Sequence, residues 1–364
     1  MMVSTKRIAL WDNARGIMLI LVVAGHMIES IRSEGLAPYW FYTFIYLFHM
    51  PVLMLISGFF SRAEASWKTA YAVFQLLTAY LIWELIIGGI RFLLTGWTPS
   101  QSFLTTPSWA MWFMISLASL KILLPFVMKI RHPLLVSVIA SLASGGFLDI
   151  STTFSVSRTL GFLPFFVAGF IAKERGMFDG DWFQVPSVRL RIAVGGALAA
   201  FGALLWFVLR DSDSSAVYRW AFHRDNYWAT TLSGESRIEI LPVDEIEEST
   251  ALLIMNGALV TAMFMAVAAL IGIAVLILIP RSQSFLTRMG QNTLYIYLLH
   301  IPIVRVVTHY EVIPSIFATL GGWGFALILA GSVVLTFILG SALVKKVFRP
   351  VVEPNITPMM KAQS

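Results

Sequence analysis

Long apolar runs separated by short polar stretches dominate this chain of 364 residues. Runs near the length of about 20 residues that a helix needs to cross a bilayer fall at roughly 9–28, 40–60, 70–94, 109–129, 133–148, 158–173, 190–209, 251–279, 291–308 and 323–344. A backbone surrounded by lipid must satisfy its own hydrogen bonds, so the pattern predicts an all-α integral membrane protein, a bundle of about ten transmembrane helices. The fifth and sixth runs are short and are expected to tilt little or to lie shielded inside the bundle. An even number of crossings places both termini on one side of the membrane.

Composition agrees with the pattern: 58% of the residues are hydrophobic and 13% charged, and the mean hydropathy is +0.79, leaving too little polar surface for a soluble globule. With no cysteine in the chain, disulfides, thiolate catalysis and cysteine metal sites are excluded. No small-residue cleavage site follows the first apolar run, which is therefore expected to stay as a span. Residues 1–349 read as one polytopic domain and 350–364 as a short tail.

The net charge of +6 does not call for a nucleic-acid partner, because the basic residues gather in particular loops. With the N-terminus placed in the cytoplasm, 16 of the 26 Lys and Arg fall on the inner side and seven on the outer side, the asymmetry that orients membrane proteins. Both termini are thus expected to be cytoplasmic. The outer segment 210–249 combines nine acids with Tyr218, Trp220, Phe222, Tyr227 and Trp228. So aromatic a connection is expected to pack over the outer mouth of the bundle, either to meet a sugar or only to cover helix ends.

Ionisable residues inside spans are functional candidates. Arg15 and His26 are eleven positions apart, three turns plus roughly 20°, so they share one face of one helix about 16 Å apart along its axis. Arg15 can also simply pair with Asp12, three residues earlier. His49 stands beside Pro51, which kinks a helix and frees a carbonyl; it either lines a passage or makes a structural hydrogen bond. Ser57-Gly58 permit close packing or close approach of a ligand. Glu84 and Lys121 sit in neighbouring spans at depths differing by roughly 9 Å, so a direct pair requires tilt. Arg158 begins the sixth span, as an interfacial anchor or a contact for an incoming polar group. His300 lies mid-span next to Tyr297 on the same helical face, reading as bundle-stabilising before channel-lining. Trp40, Trp109 and Trp323 read as interfacial belt residues.

Several motifs in order carry a resemblance. Asp12-Asn13-Ala14-Arg15-Gly16 through Gly25-His26, Phe48-His49-Met50-Pro51 leading to Ile56-Ser57-Gly58-Phe59-Phe60, Trp112-Phe113, Phe162-Leu163-Pro164-Phe165-Phe166 to Gly169-Phe170, and Gly290-Gln291-Asn292-Thr293-Leu294-Tyr295-Ile296-Tyr297-Leu298-Leu299-His300 together resemble the membrane acyltransferase-3 family, particularly its fucose 4-O-acetylase-like branch. The resemblance implies transfer of an acyl group, usually acetyl, from cytoplasmic acetyl-CoA to a hydroxyl of an extracytoplasmic carbohydrate or glycolipid, in the plasma (inner) membrane and without a metal. It makes Arg15 a holder of the coenzyme, since a guanidinium stays charged and donates in a planar fork, with Arg62 and Lys121 as further phosphate contacts. It makes His26 the group that takes the acceptor proton, or one that carries the acetyl transiently. Asp12, His49, Glu84, Arg158 and His300 are then candidates to line the channel or the acceptor site.

A transporter or flippase would also have many spans and intramembrane charges, but paired broken helices in inverted halves are not evident. A polyprenyl-sugar glycosyltransferase would place carboxylates such as Glu29 and Glu34 in an outer loop and would leave the first helix without a role. Acceptor, acyl length and oligomeric state are not written in the sequence. The charge asymmetry predicts that segment 173–191 is cytoplasmic and 210–249 outside. Single cysteines placed in this cysteine-free chain should react with an impermeant thiol reagent on intact cells at Ser214 and not at Ser187; the reverse pattern would overturn the orientation.

Overall fold

A computed structural model describes residues 9–146, 153–210, 221, 223 and 250–360, and the outer segment 210–249 lies outside the described residues except for Arg210, Ala221 and His223. The described chain is helical, as the pattern predicts. The helices are α1 (Ala9–Ile28), α2 (Leu36–Tyr46), α3 (His49–Phe59), α4 (Trp67–Thr95), α5 (Trp112–Val127), α6 (Pro133–Gly146), α7 (Val156–Glu174), α8 (Asp181–Gln184), α9 (Val188–Arg210), α10 (Thr250–Leu278), α11 (Phe285–Gln291), α12 (Thr293–His309), α13 (Val312–Leu320), α14 (Gly322–Leu339) and α15 (Ala342–Val352).

Among the described residues eight helices or helix pairs are long and apolar enough to cross a membrane, and the pair α12–α13, bent by 63°, makes a ninth. Helix α6, at the fifth apolar run, has 14 residues and spans only about 21 Å at the usual rise. The second run is a broken span: α2 and α3 meet at Leu47-Phe48, just before Pro51. The ring of Pro51 withholds the amide that would bond the Leu47 carbonyl. At the same break the His49 imidazole engages a different carbonyl, its Nδ1 lying 2.6 Å from that of Ile45. Of the two readings of His49, the structural hydrogen bond is the one observed.

Small residues let the central helices touch at their backbones. Gly58 of α3 lies against the Phe166 carbonyl of α7, and Gly169 of α7 against the Leu55 carbonyl of α3. Gly16 of α1 faces the Leu286 carbonyl of α11, and Gly290 of α11 faces the Asp12 carbonyl. Ser57-Gly58 therefore divides its work: Gly58 packs, while Ser57 turns to a cavity.

Of the three tryptophans expected at span ends, Trp40 and Trp109 are partly buried and Trp323 is exposed. The Trp40 indole donates to the Gly202 carbonyl of α9, 2.8 Å away. The tail boundary expected at residue 350 falls inside α15. The chain stays on the bundle beyond it, since Val352 and Ile356 are buried and the Val351 carbonyl accepts the Trp83 indole at 2.9 Å.

A methyl group at position 58 or 169 would collide with backbone, which cannot rotate away. Gly58→Ala and Gly169→Ala should each cost about 1–3 kcal/mol of stability. Gly195→Ala, where nothing lies within 4 Å, is the control, and thermal unfolding in nanodiscs checks the comparison. Equal midpoints for all three would refute the close contact.

Candidate active site

Helix α1 presents polar groups at two ends of the bundle. At its first turn, Asn13 is fully buried and used for construction: its Nδ2 donates to the carbonyls of Pro280 (2.8 Å) and Ser282 (2.9 Å), and its Oδ1 accepts from the Thr287 hydroxyl (2.6 Å). These bonds pin the loop before α11 to α1. The Gln291 amide approaches Asp12 Oδ2 at 3.4 Å, and Asp12 Oδ1 lies 3.5 Å from Arg15 Nη1. The predicted Asp12–Arg15 pair therefore forms.

The pair does not bury Arg15. Its guanidinium sits 4.4 Å from the Phe60 ring centroid and lines a cavity of about 280 Å³ with Leu53, Ser57, Phe113, Lys121 and Tyr297. Lys121 donates to the Ser61 hydroxyl at 3.0 Å and also borders a cavity of about 300 Å³ that holds Arg62 and Lys68. Phe60 and Lys121 are common walls of the two spaces. The structure thus places Arg15 and Lys121 on an apolar slot, with Arg62 and Lys68 on the adjoining space across Phe60 and Lys121.

Glu84 does not meet Lys121. It is fully buried in α4, and its Oε1 accepts the Ser108 amide at 2.7 Å. The bond secures the turn that leads into α5. Within that turn Trp109 has φ +40°, a left-handed backbone costing of order 1–3 kcal/mol for a non-glycine residue. Neighbours hold it there: the Trp109 indole donates to Glu29 Oε2 at 2.9 Å, and the Tyr297 hydroxyl donates to the Ala110 carbonyl. Tyr297 lines the Arg15 cavity and Ala110 a cavity beside His26, so their contact stands between the two ends.

At the far end of α1, the half-buried His26 has its ring centroid 4.2 Å from that of Trp109. Its Nδ1 lies 2.7 Å from Nε2 of His300. The Nδ1 of His300 in turn lies 3.0 Å from the Ile296 carbonyl. A carbonyl only accepts, so neutral His300 carries its proton on Nδ1 and offers a bare Nε2. His26 must then donate from Nδ1, which leaves the lone pair of His26 on Nε2. His300 is fully buried and meets His26 by a direct hydrogen bond, while its expected neighbour Tyr297 stands 6.0 Å away between ring centroids.

His26 borders two spaces. One, of about 80 Å³, is lined by Tyr42, Tyr46, Arg158, Phe162 and Ala221 among others; the Arg158 guanidinium stacks 4.8 Å from the Trp112 ring centroid. Ala221 lies in the expected covering segment, and His223 contacts the Phe162 ring at 4.9 Å. The other space, of about 480 Å³, contains Glu29, Arg91, Trp109 and Arg305. Glu29 carried a usable signal, since it follows His26 by three residues on the same face. Trp109 and Arg305 carried none, because nothing in their spacing relates them to the first helix.

A family model described as "Acyltransferase domain" (Acyl_transf_3) matches residues 8–343. The chain belongs to the acyltransferase-3 family. The match is to the family as a whole and does not single out the fucose 4-O-acetylase-like branch. The nodulation protein NolL of Mesorhizobium japonicum is 32% identical over 89 residues, covering 22% of this chain and 24% of the relative. NolL of Sinorhizobium fredii is 31% identical over 86 residues, 21% and 23% of the two chains. The alignments span about a quarter of the length of these curated relatives, and no solved structure matches.

The hydrogen-bond chain from His26 to Ile296 predicts a single tautomer at His26. In ¹⁵N-histidine spectra of the protein in nanodiscs, His26 should be protonated at Nδ1 and bare at Nε2. His300→Leu should abolish that preference, and His300→Gln, whose amide oxygen can accept at the same place, should restore it. A His26 protonated at Nε2 in the unsubstituted protein would contradict the geometry.

Proposed function

We propose that this multi-pass membrane protein is an O-acyltransferase of the plasma (inner) membrane. It moves an acetyl or other short acyl group from cytoplasmic acetyl-CoA to a hydroxyl of an extracytoplasmic carbohydrate or glycolipid, as the fucose 4-O-acetylase-like motifs suggest. The candidate catalytic and binding residues all lie within residues 1–349, the segment after them packs on the same bundle, and both termini are cytoplasmic. The observation that carries this reading is that one rigid helix presents Arg15 to an apolar, cation-lined slot and a tautomer-fixed His26 to separate spaces at its other end.

Coenzyme A is anionic at its nucleotide and apolar along its arm. Arg15, Lys121 and Arg62 suit the phosphates, and the apolar walls formed by Leu53, Phe113 and Leu117 suit the arm. The acyl end reaches His26 by passing the Tyr297–Ala110 contact, which opens when the Tyr297 side chain rotates. His26 Nε2 takes the proton of the acceptor hydroxyl as its oxygen attacks the thioester carbonyl. The tetrahedral intermediate then collapses, the C–S bond breaks, and the proton held on His26 passes to the departing thiolate. In the alternative order Nε2 attacks the thioester first and an acetyl-histidine transfers to the hydroxyl. The bare Nε2 serves both.

Binding and chemistry separate along α1, and two substitutions test the separation. Arg15→Ala should weaken acetyl-CoA binding by about 10- to 100-fold, the loss of one charge-assisted contact. His26→Ala should bind acetyl-CoA normally yet lose at least roughly 100-fold in transfer, as removal of a positioned base does. Acetyl-CoA titration of the folded variants and mass spectrometry of envelope glycans check the two arms. Near-normal turnover by His26→Ala would dismiss the mechanism.

A further inference from the structure

The largest space beside His26 has a charge pattern that the transfer chemistry does not use. Its volume of about 480 Å³ lies within the roughly 300–1,000 Å³ usual for small-molecule sites. Two guanidinium groups enter it, Arg91 from the last turns of α4 and Arg305 from the last turns of α12. Each stacks on an indole, Arg91 at 3.8 Å from the Trp97 centroid and Arg305 at 4.8 Å from that of Trp109. Stacking fixes the plane of a guanidinium and leaves its edge free to donate.

Among the described residues the one carboxylate lining this space, Glu29, is already engaged. Its Oε2 accepts from Trp109 and its Oε1 lies 3.5 Å from Arg32. Neither Arg91 nor Arg305 has an ion pair among the described residues, and the buried Nε of Arg305 has no hydrogen-bond partner. A half-buried cation left without an anion in a membrane protein is costly unless a ligand supplies the charge. Thr95, Thr308 and Ser30 add hydroxyls around the same space, which suits a polyhydroxylated molecule.

We propose that this cavity is the acceptor subsite and that it takes a carbohydrate bearing an oxyanion, a sugar carboxylate or a sugar phosphate, which Arg91 and Arg305 hold while a neighbouring hydroxyl reaches His26. This rests on the acyltransferase reading above, in which the coenzyme occupies the Arg15 end. The anion is then a specificity element: it selects acceptors that are charged and fixes which hydroxyl faces the imidazole.

The test is a binding measurement, independent of turnover, on the full chain in phosphatidylcholine nanodiscs. Methyl β-D-glucuronide, glucose 6-phosphate and neutral methyl β-D-glucoside are titrated by calorimetry, the first two distinguishing carboxylate from phosphate. At least one anionic sugar should bind ten-fold or more tightly than the neutral one, and the better of the two names the oxyanion. Arg305→Gln and Arg91→Gln should erase that preference while changing methyl glucoside affinity by less than about two-fold, and Arg305→Lys should keep part of it, as expected of a charge-assisted contact. Equal affinities for all three sugars, or a preference that survives both glutamine substitutions, would overturn the subsite. Acetyl-CoA titrated in parallel should bind Arg305→Gln as it binds the unsubstituted protein. Loss of acetyl-CoA binding there, with the sugar preference intact in the unsubstituted protein, would instead show that the two ends of α1 had been assigned the wrong substrates.

Discussion

Glycine at positions 16 and 290 allows α1 and the short α11 to approach to backbone contact, and Asn13 closes that approach with hydrogen bonds to the loop preceding α11. In lipid there is little hydrophobic drive to press helices together, so close backbone packing and interhelical hydrogen bonds must hold them. The contact fixes the rotation of α1 about its axis. Because Arg15 and His26 are attached to that one rigid element, fixing its rotation fixes both side chains at once. A turn of a few tens of degrees would move the guanidinium out of its slot and separate His26 from His300.

The two ends solve opposite electrostatic problems. At the Arg15 end positive charge accumulates, with Asp12 as a partial counterweight, beside a slot with apolar walls. At the His26 end the orientation of the imidazole is set by a chain of hydrogen bonds anchored on a backbone carbonyl, which can only accept. Between them the Tyr297–Ala110 contact keeps the spaces apart. In the proposed reaction, such a division holds the thioester on one side and uses it on the other.

The turn before α5 ties these parts together. Glu84 holds the Ser108 amide, Glu29 holds the Trp109 indole and Tyr297 holds the Ala110 carbonyl, so three consecutive residues are each bonded to a different helix or turn. The strained backbone at Trp109 is sustained by those bonds, and in return its indole covers His26 on one face and supports Arg305. Glu84 thus acts on the site through the turn that it secures, a role that a direct pair with Lys121 would have prevented.

The helical architecture, the multi-pass character, the family and the shared face of Arg15 and His26 were legible in the chain because each rests on local periodicity or on contiguous motifs. The Asp12–Arg15 pair was legible for the same reason, being one turn apart. The partner of His26 was not: His300 is 274 positions away, and the pattern of its own helix shows only that Tyr297 shares its face. Nor could the sequence say that Glu84 would choose a backbone amide, that Trp109 would contact His26 and Glu29, or that Arg91 and Arg305 would converge on one cavity. The sequence by itself determined which residues must enter the membrane and which share a helix face, since those follow from hydrophobicity and a fixed turn of about 100° per residue. The pairing of groups between helices was decided only by tertiary structure, because it depends on the rotation and closeness of packed helices, which glycine contacts set far from the groups they bring together.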